Sequence, residues 1–225
     1  MKKIIDLTHI LSSDSPTWDG SCGFVLTTKT NYDECTPPDL FKIQSMECKA
    51  GIGTHIDAPA HCFEGEKTVE KIELHNLVTQ AVVIEVNKEK SPNYVVDIND
   101  ILLFEKKYGT ITPHTFVLFN TGWAQHWGNK TMYQNGYVFP SIDNQVAQLL
   151  VEREITGLGI DTLSADTGKS GFPVHQTILG AGKYLVENVT NLNDLPPTGF
   201  TIGIFPMKIA DATEAPVRIL AFIES

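Results

Sequence analysis

Short apolar runs alternate with polar stretches rich in glycine and proline, and most of the runs are too short to be helices. Residues 81–86 and 115–119 are dominated by β-branched and aromatic side chains, which predicts buried strands. Residues 41–49 alternate apolar and polar side chains, the period of a half-buried strand. Similar runs predict strands at 4–8, 24–29, 157–161, 200–205 and 218–223, and a strand or turn at 184–189.

Helical segments are predicted between these strands. The clearest begins after Asp97, which can cap its N-terminus, and ends before Gly109. We also predict a helix that begins at Ser141 as its cap, a helix at 174–182, and a short helix or extended connection at 68–77. The polar, aromatic stretch 126–139 predicts a long surface loop. Without an internal repeat or linker, this order of elements favours one mixed α/β domain over residues 1–225.

Composition narrows the class of partner. With 42% hydrophobic and 20% charged residues, the 225-residue chain resembles an ordinary globular protein. A formal net charge of −10 argues against nucleic acid or an anionic membrane surface as partner. No apolar run approaches the ~20 residues of a membrane-spanning helix. Asp6 and His9 interrupt the N-terminal segment before a signal-peptide core develops, so we expect a cytoplasmic protein. The four cysteines lack metal-site spacing and are expected to be reduced.

The strongest chemical signal lies in residues 51–61. His55 and Asp57 are two residues apart, so in a strand both side chains face one side, where imidazole and carboxylate suit Zn or Mn. Pro59 ends the strand, and the following bend can bring His61 to the same place. A lone His-x-Asp is more often an exposed polar face, but this cluster favours a site. A thiol nucleophile at Cys62, activated by His61, is a weaker alternative.

Residues 53–61, Gly-Thr-His-Ile-Asp-Ala-Pro-Ala-His, resemble the signature of the metal-dependent cyclase hydrolases, which include bacterial kynurenine formamidases. The family pattern is His-x-Gly-Thr-His-x-Asp-x-Pro-x-His, and Gly51 stands where the family has a metal-ligating histidine. The resemblance continues in the Gly-x-Asp-x-x-Ser-x-Asp stretch at 159–166. It implies the swivelling β/β/α fold with a mixed central sheet across nearly the whole chain.

The same resemblance implies the rest of the site. A histidine on a late helix, followed twelve residues later by a glutamate, completes the family's ligand set, which here implies His55, Asp57, His175 and Glu187 as metal ligands. His61, outside that set, would be the general acid/base. Without the resemblance, His175 in the first turn of a helix would be taken as a surface or cap residue.

Several other residues are candidates of lower rank. Trp18 lies in a loop of the type that lines the family's site, and Trp18 and Trp123 could stack on an aromatic substrate. A ring at the core edge explains Trp18 equally well, and a plain structural turn explains Trp123 equally well. Asn120 and Thr121 follow a predicted strand and are either site residues or a structural turn. For the segment containing Asp161, Ser164 and Asp166 we expect a hydrogen-bonded loop with a helix cap, the alternative being a metal or acid/base cluster. The remaining histidines are expected to be structural: His9, His75, His114 and His126.

The resemblance implies a metal-dependent hydrolase that cleaves an aryl formamide such as N-formylkynurenine, in tryptophan catabolism. Zinc is favoured over manganese by affinity. Gly51 leaves open whether one or two ions bind and whether a substitute ligand comes from Gln44, Glu47 or Cys48. Two alternatives stay open, a cyclic-amide or lactone hydrolase of the isatin type and a binding protein with a degenerate site. By resemblance we expect a homo-oligomer, either a dimer or a tetramer.

Overall fold

A computed structural model describes residues 3–86, 89 and 91–224. The strands are β1 (Lys3–Asp6), β2 (Phe24–Thr30), β3 (Ile43–Cys48), β4 (His55–Asp57), β5 (Val78–Glu85), β6 (Val95–Val96), β7 (Phe116–Asn120), β8 (Ser141–Ile142), β9 (Gly157–Ile160), β10 (Tyr184–Glu187), β11 (Phe200–Pro206) and β12 (Glu214–Ile223). The α-helices are α1 (Leu74–Leu77), α2 (Ile98–Tyr108), α3 (Lys130–Gln134), α4 (Asn144–Glu152) and α5 (Pro173–Gly180). Short 3₁₀ turns, including Pro59–His61, complete the fold.

One eight-stranded sheet organises the molecule, in the order β1-β12-β11-β5-β7-β9-β10-β4. Its centre, from β5 through β7 and β9 to β10, is parallel, and the remaining pairs are antiparallel. The N-terminal part of β12 also pairs with β4, which closes seven of the strands into a barrel. The predicted α/β fold with a mixed central sheet is confirmed, while the assignment of residues 1–225 to one domain stays a prediction.

Alternation along the strands divides the buried side chains between two cores. Val83 and Leu118 belong to a cluster contributed by strands all around the barrel, whereas their neighbours Val82 and Val117 pack with residues of α2, α4 and α5. The two-residue period of each strand therefore fills the barrel with one set of side chains and seats the helices on the other. This double burial explains why β5 and β7 appear in the sequence as continuous apolar runs.

The predicted helix caps are confirmed in one case and corrected in another. Asp97 caps α2 by accepting hydrogen bonds from the backbone N–H groups of Asn99 and Asp100, and Gly109 follows the helix end. Ser141 does not cap α4. It lies in β8, and Asp143 caps the helix instead.

Three other segments differ from their predictions. β3 forms only a two-stranded ribbon with β2, so its alternating side chains are exposed on both faces rather than half-buried. Residues 126–139 are not a surface loop. They include α3, whose Tyr133 is fully buried. The strand predicted at 218–223 begins earlier, because β12 starts at Glu214.

The described part of the chain contains no helix with both the length and the apolar character needed to cross a bilayer.

Candidate active site

Three adjacent strands converge on one cavity. β4 lies between β10 and β12, and the register places His55 opposite Glu187 and Asp57 opposite Glu214. Residues directly opposite each other in antiparallel strands project to the same face, and residues two apart on β4 do so as well. The four side chains therefore line the same cavity, which has a volume of about 290 Å³. His175 joins them from the first turn of α5, and His61 from the 3₁₀ turn that starts at Pro59.

The backbone before β4 fixes the orientation of His55. Gly53 adopts a φ of +67°, a left-handed conformation that costs glycine little. Its carbonyl accepts hydrogen bonds from His55 Nδ1 at 2.9 Å and Asn188 Nδ2 at 2.8 Å. Because a carbonyl can only accept, Nδ1 of His55 carries the proton. Nε2 then presents its lone pair toward Asp57 Oδ1, 3.4 Å away, and Glu187 Oε2, 3.6 Å away.

Asp166 orients the second imidazole in a similar manner. Its carboxylate accepts hydrogen bonds from the backbone N–H groups of Val174, at 3.2 Å, and His175, at 3.0 Å, and so caps α5 from the preceding loop. The same carboxylate contacts Nδ1 of His175 at 2.7 Å. Nε2 of His175 then faces Glu187 Oε1 at 3.3 Å and Asp57 Oδ2 at 3.7 Å. The predicted loop with a helix cap is confirmed at Asp166.

The donor set fits a divalent cation. Asp57 is only 1% exposed, yet neither of its carboxylate oxygens has a hydrogen-bond partner among the described residues. A buried carboxylate without hydrogen-bond partners is costly unless a cation neutralises it. Ligands at ~2.0–2.1 Å from a tetrahedral ion lie about 3.3 Å apart, close to the separations found between the imidazole nitrogens and the carboxylates. Two groups of mutually close donors share Asp57: His55, Asp57 and Glu187, and Asp57, His61 and Glu214.

The electrostatics of the cluster show surplus negative charge. Burial raises the pKa of Asp57 to about 6, against the opposing effect of His55. Burial lowers the pKa of His175, but Asp166, Glu187 and Asp57 outweigh it, and that pKa lies well above its ordinary value. The contact with Glu214 raises the pKa of His61. Carboxylates therefore stabilise every positive charge placed here, as a metal site requires.

Aromatic and apolar side chains form the remaining walls of the cavity. Trp18, Leu163 and Phe172 line it together with the donor cluster. The backbone carbonyl of Trp18 is held by hydrogen bonds from Gln134 Nε2 and the Tyr137 hydroxyl. The rings of Trp18 and Phe172 lie 5.6 Å apart. A planar aromatic group could pack beside these rings while a polar group faces the donors.

The structure does not bring every predicted residue to this cavity. Trp123 is 4% exposed, packs in a cluster with Tyr133 and Phe139, and donates its indole N–H to the Tyr133 carbonyl, so the expectation of substrate stacking by Trp123 is corrected. Asn120 and Thr121 line a separate cavity at the end of β7.

Asp161 and Cys62 also have structural environments. Asp161 accepts hydrogen bonds from Thr121 and from the backbone N–H of Trp123, so it ties loops together rather than joining the donors. Cys62 packs against the core beneath the helices, where burial raises the pKa of its thiol, which argues against an activated nucleophile. The four cysteines are free thiols, as expected.

The four remaining histidines lie outside the cavity. His9 stacks on Trp127 with ring centroids 4.0 Å apart, and His126 packs edge-on against Trp123. His75 is exposed beside Glu73, and His114 has a positive φ in the loop before β7.

Glu214 and Phe172 were missed from the sequence. Glu214 appeared only as part of a polar stretch, and no spacing rule links it to residues 51–61, because its position depends on the pairing of β12 with β4. Phe172 immediately precedes α5, in a left-handed conformation. The proposed substitutes Gln44, Glu47 and Cys48 lie on the β3 ribbon, and none of them lines the cavity.

Comparison with known proteins is consistent with this geometry. The sequence profile of a family described as putative cyclase matches residues 5–167. The chain belongs to this cyclase family. The resemblance identified in residues 53–61 is thereby confirmed.

Similar proteins match nearly the whole chain. A kynurenine formamidase from Geobacillus thermodenitrificans is 28% identical over 97% of this chain and 96% of its own length. Isatin hydrolase A from Labrenzia aggregata, solved with benzyl benzoate, superposes with a TM-score of 0.91 at 28% identity over 100% of this chain and 94% of its own. A predicted metal-dependent hydrolase from Bacillus stearothermophilus superposes with a TM-score of 0.79 at 25% identity over the full length of both chains.

Proposed function

We propose that this cyclase-family protein is a metal-dependent hydrolase that cleaves the C–N bond of a small amide whose nitrogen is attached to an aromatic ring. One observation carries the proposal: the buried carboxylate of Asp57, which has no hydrogen-bond partner among the described residues, faces the Nε2 atoms of His55 and His175 in an aromatic-lined cavity. We assign His55, Asp57, His175 and Glu187 as the ligands of a divalent ion, zinc before manganese on affinity.

When bound, the ion supplies a Lewis acid that polarises the substrate carbonyl and lowers the pKa of water. His61 accepts the proton released by the attacking water and donates it to the leaving amine nitrogen. Its side chain is 34% exposed at the cavity rim, which gives it access to a substrate, and its Nδ1 lies 3.3 Å from Glu214 Oε2. That contact holds the ring so that Nε2 remains available for proton transfer. His55 and His175 keep fixed orientations through Gly53 and Asp166.

The cavity favours a compact aromatic substrate. Its volume lies at the lower end of the range of small-molecule sites, and Trp18 and Phe172 can pack on a single ring. N-formylkynurenine, an aryl formamide, is the leading candidate, which would place the protein in tryptophan catabolism. A cyclic aryl amide such as isatin is the second candidate, favoured by the close superposition with isatin hydrolase A. Both contain a carbonyl bonded to an aryl nitrogen.

The decisive experiment measures hydrolysis of N-formylkynurenine and isatin by the metal-loaded protein, after chelation, and after metal is restored. We expect turnover of at least one substrate, its loss with the metal and its recovery with Zn²⁺ or Mn²⁺. A protein that binds either compound without turnover, and whose binding is unchanged in His61→Ala, would instead be a binding protein with a degenerate site.

We further propose that the protein forms a homodimer or a higher homo-oligomer through the β2–β3 ribbon. Leu26 and Met46 pair across the ribbon and are 54% and 56% exposed, and Val25, Phe41 and Ile43 are about half exposed. Apolar exposure on a projecting ribbon is typical of an interaction surface, and a second copy of the same ribbon can cover it. Light scattering coupled to size exclusion should give at least twice the 24.8 kDa chain mass. Leu26→Lys with Met46→Glu should give a monomer, and a monomeric unmodified protein would contradict the proposal.

The protein is proposed to act in the cytoplasm, where its four free thiols would stay reduced. Recovery of the native protein in a membrane or secreted fraction would contradict that assignment.

A further inference from the structure

Position 51 and Glu214 compete for the same space. A Cβ atom built on Gly51 would overlap Glu214 Oε1 and would lie 3.4 Å from His55 Nε2. Gly51 itself does not need a left-handed backbone, since its φ is not positive. The absence of a side chain at this position therefore leaves room for a carboxylate that arrives from another strand, beside the imidazole of His55.

The placement of Glu214 follows from the closure of the barrel. Because Glu214 pairs directly with Asp57 across β12 and β4, its side chain projects from the same face as the donors. Its two oxygens have different surroundings. Oε2 contacts His61 Nδ1, whereas Oε1 points into the space beside Gly51 and His55. One of its oxygens belongs to the set of mutually close donors that also contains Asp57 and His61.

We infer that Glu214 is a metal ligand of this chain, reaching from β12 into the space that a side chain at position 51 would otherwise fill. The inference rests on the proposed function, because it assigns a further ligand to the same metal site. Glu214 would share an ion with Asp57, its partner in the donor set, and its Oε2 lies 3.3 Å from His61 Nδ1. The site then contains one more carboxylate than the ligands identified from the sequence, and Gly51 marks a relocation of the ligand rather than its loss.

Two substitutions test the assignment without relying on catalysis. Glu214→Gln removes the charge at nearly constant volume, and Gly51→Ala adds a methyl group that must displace the glutamate. Metal content and the Kd for Zn²⁺ and Mn²⁺ are measured by elemental analysis and calorimetry for the unmodified protein, both variants and the double variant. Glu105→Gln is the matched control, because Glu105 pairs with Arg153 away from the cavity.

We expect Glu214→Gln to weaken metal binding by at least about 10-fold. Removing a residue that only hydrogen-bonds to a metal ligand already costs about this much, and loss of a ligand should cost no less. Gly51→Ala should also weaken binding, but it should have no further effect once Glu214 is Gln. Glu105→Gln should bind metal normally. Equal metal content and affinity in Glu214→Gln and the unmodified protein would overturn the inference and leave Glu214 as a partner of His61 only. An unmodified protein that binds no divalent ion would overturn the proposed function itself and this inference with it.

Discussion

Asp166→Ala is expected to damage two things at once, the start of α5 and the orientation of His175. The carboxylate accepts the backbone N–H groups of Val174 and His175 and contacts the His175 ring at 2.7 Å. Loss of a helix-capping side chain costs about 1 kcal/mol of unfolding free energy, within a range of ~0.5–2. Loss of the carboxylate that holds a metal-ligating histidine lowers metal affinity by about 10- to 100-fold, equivalent to ~1.4–2.7 kcal/mol.

The matched control is Asp143→Ala at the start of α4. Asp143 accepts a hydrogen bond from the backbone N–H of Gln145 and does not line the cavity. Urea unfolding of the metal-free proteins should show losses of similar size for the two variants. Calorimetry with Zn²⁺ should show weakened binding only for Asp166→Ala. Metal affinity unchanged by Asp166→Ala would refute the view that this carboxylate positions His175 for a metal.

Three further substitutions test the acid/base histidine, the aromatic wall of the cavity and a buried histidine outside it. His61→Gln should lower kcat by about 10²- to 10⁴-fold while the metal stays bound, and an active His61→Gln would remove this residue from proton transfer. Trp18→Ala should raise KM for an aryl amide by roughly 3- to 10-fold, because it removes an aromatic contact worth ~0.5–1.5 kcal/mol. Its metal affinity should be unchanged. Equal KM values for the variant and the unmodified protein would show that the substrate does not bind beside Trp18. Burial lowers the pKa of His9 from 6.5 to about 4. Between these two pH values the unfolded chain binds a proton at His9 and the folded state does not. The free energy of unfolding therefore decreases as the pH falls from 6.5 toward 4. His9→Phe, which keeps a ring on Trp127, should reduce that loss by up to roughly 3 kcal/mol, and identical pH profiles of unfolding free energy would show that His9 does not titrate in this manner.

The part of the site carried by local sequence was predictable. The two-residue period of a strand puts His55 and Asp57 on one face, and Pro59 turns the chain so that His61 reaches the same cavity. His175 and Glu187 needed the family resemblance, because the pairing of β10 with β4 joins segments that are distant along the chain. The sequence pattern also predicted the buried strands β5 and β7, whereas their parallel pairing emerged only from the structure.

The remaining features depend on tertiary context. Glu214 reaches the site only because β12 is long enough to pair with β4 at one end and with β1 at the other. Trp123 was a reasonable candidate for a pocket wall, but the burial of Tyr133 in α3 places both rings in a core cluster. The alternation in β3 predicted one buried face, whereas β3 pairs only with β2 among the described strands and exposes both faces. Local pattern determines which face a side chain occupies, but not what packs against that face.

The proposed metal site is tested most simply by the metal content per chain of protein purified without chelator and without added metal. We predict at least one tightly bound divalent ion per chain, held by the cluster around Asp57. About two ions per chain would indicate that Glu214 compensates fully for Gly51. A protein that is metal-free as purified and does not bind added Zn²⁺ or Mn²⁺ would contradict the assignment of His55, Asp57, His175 and Glu187 as metal ligands. That result would favour a small-molecule binding protein.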